Sequence, residues 1–108
     1  MKFEALAVAK TAVTLTAEGF AGVGGIHRDL KEQATRASIS AVLNLAESTG
    51  FVDGNKARHR ALAYGSAREA KTAVELALAL GLGSADKLRE AHDALDRVAA
   101  MCWRLMRR

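Results

Sequence analysis

The stretch QATRASISAVLNLAES, residues 33–48, predicts a helix that is apolar or small on nearly every side and carries one polar stripe. Five of its polar residues recur at intervals of three or four, which places them on one face of a helix with about 3.6 residues per turn. A buried polar group without a partner costs about 1–3 kcal/mol. The stripe therefore marks a contact inside the fold, between subunits or with a ligand. This polar seam consists of Gln33, Arg36, Ser40, Asn44 and Glu47.

Three further helical segments surround this one, and glycines separate them all. Glycine disfavours the continuation of a helix, and glycines interrupt the chain at 19–25, 50–54 and 81–83. Because short connections make consecutive long helices antiparallel, the sequence predicts an all-α, antiparallel up-down-up-down four-helix bundle in a single domain, residues 1–108. No stretch alternates convincingly with a period of two, which disfavours a sheet. The helices are expected at about residues 2–18, 28–48, 56–80 and 84–107.

The composition fits long helices that pack through small side chains. Half of the residues are hydrophobic, only 5% are aromatic, and there is no proline. The single cysteine, Cys102, excludes an internal disulfide and fits a reducing compartment. We see no secretory signal and no run of about 18 apolar residues. The sequence therefore predicts a cytoplasmic protein that does not contact the membrane.

Positive charge is concentrated in the second half of the chain. The formal net charge is +4, and residues 51–108 hold eleven basic and seven acidic side chains, whereas residues 1–50 are neutral overall. On one side of the third helix, basic residues flank a tyrosine, an arrangement that can neutralise phosphates and stack on a base. The alternative is a solvated face on which Lys71 pairs with Glu75. The candidate nucleic-acid-binding residues are Lys56, Arg58, Arg60, Tyr64, Arg68, Lys71, Arg104, Arg107 and Arg108.

Two helices carry more apolar surface than one bundle neighbour usually covers. In the second helix, Ile39 and Leu43 lie opposite the stripe that contains Ala34 and Ala41. This pattern favours self-association, and the alternative for the fourth helix is a fully covered core helix. The broad apolar stripe of the fourth helix comprises Leu88, Ala91, Ala94, Leu95, Val98, Ala99, Met101, Cys102, Trp103, Leu105 and Met106.

Sites for catalysis, cofactors or metals find little support in the sequence. The glycine-rich segment 22–25 follows a helix rather than a strand and lacks the Gly-Lys-Ser/Thr of a phosphate-binding loop. His27, His59, His92 and Cys102 show no paired metal-ligand spacing. No serine has an evident histidine partner for nucleophilic catalysis. We therefore predict that the chain is not an enzyme and holds neither a metal nor a cofactor.

The polar seam and the third helix carry a family resemblance. Together they resemble the two signature blocks of the bacterial four-helix-bundle proteins encoded in rRNA intervening sequences, a family that includes the accessory variability determinant proteins of diversity-generating retroelements. The similarity spans about residues 28–83. Val42, Thr35 and Ser48 stand where the family pattern has a proline, an arginine and a glycine. The matching residues are Gln33, Arg36, Ala37, Ser40, Asn44, Ala46 and Glu47, then Gly65, Ser66, Glu69, Thr72, Ala79 and Gly81.

The resemblance implies a homopentameric ring of four-helix bundles whose basic surfaces bind RNA or DNA. For members that belong to retroelements it also implies a reverse-transcriptase partner, and it implies no enzymatic activity. We expect a ring-like nucleic-acid-binding accessory protein. The alternative is a protein–protein interaction scaffold, for example a reverse-transcriptase accessory subunit, in which nucleic-acid binding is incidental. In either case we expect the polar seam to bond mostly to neighbouring helices or subunits and to help set their register.

Overall fold

The computed structural model describes residues 2–50 and 53–107, with side chains described for 4–50 and 55–107. The helices are α1 (Lys2–Gly19), α2 (Arg28–Gly50), α3 (Asp53–Ala79) and α4 (Ala85–Met106), and a single 3-10 turn, Gly25–His27, precedes α2. No strand occurs in the described part of the chain. The predicted four-helix bundle is confirmed. The α2–α3 connection is shorter than expected, because α2 continues to Gly50 and Gly54 belongs to the first turn of α3. A glycine costs a helix only about 1 kcal/mol, so it does not by itself end one.

Consecutive helices contact one another in antiparallel fashion. Ser40 bonds to Ser66 while Asn44, further along α2, bonds to His59, which comes earlier in α3. The same reversal holds between α3 and α4, where the bonded pairs are Lys71–Asp96 and Arg60–Leu105.

The core is built largely from alanine, so the helices approach closely. Two clusters of buried residues divide it along the bundle axis. The first cluster contains the end of α1 and the starts of α2 and α4, and the second contains the start of α1 and the ends of α2 and α4, so α1 is antiparallel to both. The first includes Ala12, Phe20, Ala34, Ala37, Ala70, Val74, Leu88 and Leu95. The second includes Ala5, Ala9, Ala41, Leu45, Ala63, Ala67, Val98, Met101, Cys102 and Leu105.

The broad apolar stripe of α4 is buried within its own bundle. Of its members, only Trp103 is exposed and Met106 is half-buried. The width of this stripe therefore comes from core packing and does not indicate a second chain. The second apolar side of α2 is different: Leu43 is 59% exposed and Ile39 is also exposed, as the sequence predicted. Further exposed apolar side chains are Ile26, Leu62, Leu76 and Leu80.

The end of α1 packs closely against the turn before α4, where Gly19 and Gly83 meet. The Gly19 carbonyl oxygen accepts a hydrogen bond from Ser84 N at 2.9 Å. Gly83 adopts φ +63°, and a Cβ there would collide with that same oxygen. Ser84 is the N-cap of α4, as predicted, and its side chain accepts a bond from Lys87 N. Among the described helices, none is both long and apolar enough to cross a membrane.

Candidate nucleic-acid interface

The middle of the polar seam forms a hydrogen-bonded network between α2 and α3. Ser40 Oγ lies 2.8 Å from Ser66 Oγ, and Asn44 Nδ2 donates to the Ser40 carbonyl oxygen at 2.9 Å. Asn44 Oδ1 lies 2.9 Å from His59 Nδ1. All four side chains are half-buried. This part of the seam therefore fixes α2 against α3, because the Ser40–Ser66 and Asn44–His59 bonds need the two helices in one register.

The ends of the polar seam point to solvent. Gln33, Arg36 and Glu47 are exposed and bond to no side chain in the part of the chain that the structure describes. Arg36 and Glu47 lie on or beside the outer face of α2 that also carries Ile39 and Leu43, whereas Gln33 lines a groove between α2 and α3. These three residues consequently play no part in the register of the bundle itself.

Two of the candidate basic residues on α3 are engaged by α4. Arg60 Nη1 donates to the Leu105 carbonyl oxygen at 3.1 Å. Lys71 Nζ bonds to Asp96 at 3.0 Å, and this hydrogen bond and the lysine charge lower the pKa of the Asp96 carboxyl. The pairing of Lys71 with Glu75, which was the alternative to phosphate binding, does not occur, because Lys71 bonds to Asp96 and Glu75 to His92 on α4.

Glu75 takes a different partner on α4. Its carboxylate lies 2.8 Å from His92 Nε2. The side of α3 that the sequence marked as basic is therefore in part a helix–helix contact, and two of its cations are occupied before any ligand arrives.

Beside these pairs, two arginines and two aromatic rings form a continuous row across α3 and α4. The Arg68 guanidinium lies over the Tyr64 ring, 5.6 Å from its centroid. The Tyr64 and Trp103 centroids are 5.6 Å apart with planes tilted by 42°, and the Arg107 guanidinium lies 5.5 Å from the Trp103 centroid. Trp103 is 45% exposed. We call Arg68, Tyr64, Trp103 and Arg107 the aromatic–arginine row.

The row borders a shallow surface groove of about 290 Å³. Tyr64, Arg68 and Trp103 line it together with the Lys71–Asp96 pair. Neither Arg68 nor Arg107 forms an ion pair with a carboxylate of the described residues. The groove therefore offers two partly exposed rings next to arginines that pair with no carboxylate of the described residues.

The structure also shows a basic groove that the sequence did not predict. It lies on α2, has a volume of about 630 Å³, and is lined by Arg28, Lys31 and Arg36 with Glu32 as its acid. Lys31 Nζ donates to the Val23 carbonyl oxygen at 3.3 Å, which joins the groove to the loop before α2. The charge balance of residues 1–50 concealed this groove, because the other acids of that half lie elsewhere on the helices.

Comparison with known families adds an observation on the whole chain. The family model described as 23S rRNA-intervening sequence protein matches residues 4–104. The chain belongs to this family. The match confirms the resemblance found in α2 and α3 and extends it into α1 and α4. A comparison with curated proteins gives no match.

In this member of the 23S rRNA-intervening sequence protein family, the other candidate residues are spread over the surface. Arg58 and Arg104 are exposed, and Lys56 is half-buried near the start of α3. Arg108 lies outside the described residues. Of the nine candidates, the structure joins Tyr64, Arg68 and Arg107 into one row. It adds Trp103, which the sequence analysis had assigned to the apolar stripe of α4. The spacing of four residues between Trp103 and Arg107 could have predicted their contact, because residues i and i+4 are neighbours on a helix.

The remaining reactive groups do not converge. Among the described residues, no three or more His, Cys, Asp or Glu side chains come together in a way that could hold a metal ion. Cys102 is fully buried, and burial raises the pKa of its thiol to about 11. Such a thiol is inert at neutral pH because almost none of it is thiolate.

Proposed function

We propose that this chain is a non-enzymatic, homo-oligomeric accessory protein that binds nucleic acid through basic surfaces on α3 and α4. The aromatic–arginine row is the observation that carries the proposal. Its two arginines have no carboxylate partner in the described structure, so they are available to neutralise phosphates and release counterions. The description of the family names 23S rRNA, which supports RNA as the first nucleic acid to test.

The phosphate contacts centre on the row and extend along both helices. Arg68 and Arg107 are the central contacts, and the exposed Arg58 and Arg104 add to the positive field. Arg60 and Lys71 contribute less, because the Leu105 carbonyl and the Asp96 carboxylate already hold them.

The exposed apolar side chains support self-association into a ring, with a pentamer as the proposed state. One apolar surface lies on α2 around Ile39 and Leu43, and a second lies between α2 and α3 around Ile26, Leu76 and Leu80. A head-to-tail ring requires two different complementary surfaces on each chain, whereas a two-fold dimer requires one. Arg36, near one end of the polar seam, lines the same groove as Ile39 and supplies a polar contact across the joint.

A salt-dependent titration tests nucleic-acid binding. Fluorescence anisotropy of labelled RNA and DNA strands, measured at low and at moderate salt, should show binding that weakens steeply as salt rises. Absence of measurable affinity even at low salt would refute the proposal.

Native mass spectrometry tests the ring. The unmodified chain should form one closed oligomer, and Leu43→Lys should shift it to smaller species because a charge enters an apolar joint. Ala7→Lys adds the same charge to an exposed position of α1 and should leave the oligomer intact. A monomer at micromolar concentration would contradict the ring.

A protein–protein scaffold, such as a reverse-transcriptase accessory subunit, is the second candidate. Ile26 favours it, because this side chain is 92% exposed at the rim of an apolar groove of about 630 Å³. An intact ring with no affinity for RNA or DNA would select this candidate over the first.

A further inference from the structure

We infer that the aromatic–arginine row is a stacking site for unpaired nucleobases, so that the protein binds single-stranded nucleic acid in preference to duplex. The inference rests on the proposed nucleic-acid binding and specifies which form of nucleic acid the site takes. It starts from the exposure of Trp103, the one exposed member of an apolar stripe whose other members are buried or half-buried.

The rings are partly open to solvent: Trp103 is 45% exposed, Tyr64 is half-buried against the second core cluster, and a guanidinium lies over each ring. Arg68 and Arg107 stand 5.6 Å and 5.5 Å from the ring centroids, which is within cation–π range but leaves the ring faces loosely covered. Both arginines are exposed and have no carboxylate partner among the described residues. Each can therefore leave its ring without breaking an ion pair, and a base can take its place.

The geometry of the ring pair determines where a base can stack. The Tyr64 and Trp103 centroids are 5.6 Å apart, whereas a base inserted between two rings needs about twice the 3.4 Å stacking rise. A base consequently stacks on an outer ring face, and Trp103 offers the larger one. The displaced arginine then contacts the neighbouring phosphate. The same cation therefore covers the ring in the free protein and binds phosphate in the complex.

This arrangement distinguishes single strands from duplexes. In a duplex the base faces are covered by their neighbours in the stack, so only phosphates and base edges are presented to a protein. The row has two unpaired arginines for phosphates, which is a small electrostatic footprint. Much of the affinity must then come from stacking, which tolerates different base sequences because every base has a π face.

The tryptophan itself reports on the interaction. Trp103 is the single tryptophan of the chain, so emission excited selectively at tryptophan, beyond the absorption of Tyr64, follows this ring alone. The full-length protein is titrated with a single strand of about ten nucleotides, as RNA and as DNA, and with the duplex of the same sequence. Stacking should quench and shift the Trp103 emission with both single strands, and the duplex should bind at least about fivefold more weakly.

Two substitutions at the same position separate stacking from charge. Trp103→Leu should weaken single-strand binding by about 5- to 100-fold, measured by anisotropy of a labelled strand, and should leave duplex binding unchanged. Trp103→Phe retains a ring and should restore most of the affinity. Because Trp103 is nearly half exposed, both variants are expected to fold, which circular dichroism checks.

The outcomes distinguish a failure of the stacking site from a failure of the proposed nucleic-acid binding. Equal affinity for single strand and duplex, or an unchanged Trp103 emission at saturation, would overturn the stacking site while the protein still binds nucleic acid. No affinity for any of the three nucleic acids would overturn both.

Discussion

Asn44 Oδ1 lies 2.9 Å from His59 Nδ1, so the middle of the polar seam joins α2 to α3 through side chains. Asn44 also donates to the Ser40 carbonyl oxygen from its other amide atom. Removing it breaks both the side-chain bond to His59 on α3 and the bond to the Ser40 carbonyl oxygen in a half-buried network. We expect Asn44→Ala to lower the free energy of unfolding by about 1–2 kcal/mol, measured by urea denaturation followed by circular dichroism.

Glu47→Ala is the matched control within the polar seam. Glu47 is exposed and has no bonding partner in the described chain, so its loss should change stability by less than about 0.5 kcal/mol. If the two variants were equally destabilised, the seam would act as one unit, for example across a subunit joint.

Asp96 limits the nucleic-acid affinity by holding Lys71. Asp96→Asn should remove the negative charge that neutralises this lysine, raise the affinity for RNA by a few-fold and increase the salt dependence by about one phosphate contact. The pKa of Asp96 is lowered by Lys71, so the ion pair is present above the ordinary carboxyl range and is lost only as pH falls through the lower value. Near neutral pH, the binding experiment therefore compares the parent, in which the Lys71–Asp96 ion pair is formed, with a variant in which it is absent.

Asp93→Asn controls for the loss of one negative charge. Asp93 lies on the same helix and forms no ion pair with a described residue, so its substitution alters the net charge without releasing Lys71. Equal effects of the two variants on affinity and salt slope would show that only net charge matters.

The helices could be predicted from sequence because local chemistry determines them. The apolar spacing of α4 and its Ser84 cap gave its position to within a residue or two, since both signals act inside one helix. The second apolar side of α2 was predicted for the same reason. The α2–α3 connection was predicted too long, because a glycine's helix penalty is small against the packing of a 27-residue helix.

The binding surface was harder to predict because it depends on contacts between helices. Trp103 joins the row through Tyr64, which lies 39 positions earlier, and no periodicity within α4 reveals that neighbour. Arg60 looked like a free cation, yet it bonds to a carbonyl near the end of α4. A charge count shows which residues can bind phosphate but not which are already occupied.

The turn before α4 should tolerate no side chain at Gly83. A residue with a Cβ is strained at φ +63°, and here it also meets the Gly19 carbonyl oxygen that Ser84 needs as an acceptor. Gly83→Ala should destabilise the fold by about 2–4 kcal/mol in urea denaturation.

Gly22→Ala isolates the backbone contribution to this effect. Gly22 has φ +82° with open space around it, so only the strain of about 1 kcal/mol should appear. If Gly83→Ala cost no more than Gly22→Ala, the contact between α1 and the turn would not constrain the fold.

Cys102 should resist thiol reagents and weaken the fold at alkaline pH. Its thiol is fully buried with a pKa of about 11, so at pH 8 only about one thousandth is thiolate, and a chromogenic disulfide should label it only after denaturation. The folded-state pKa lies above the ordinary thiol pKa of 9.0, so the associated stability is complete below pH 9 and is lost as pH rises toward 11. Cys102→Ala removes this group, and its unfolding free energy should fall less between pH 8 and about 10 than that of the parent. Rapid labelling of the folded parent at pH 8 would show that the second core cluster, which contains Cys102, opens locally. A closed core presents almost no thiolate to the reagent.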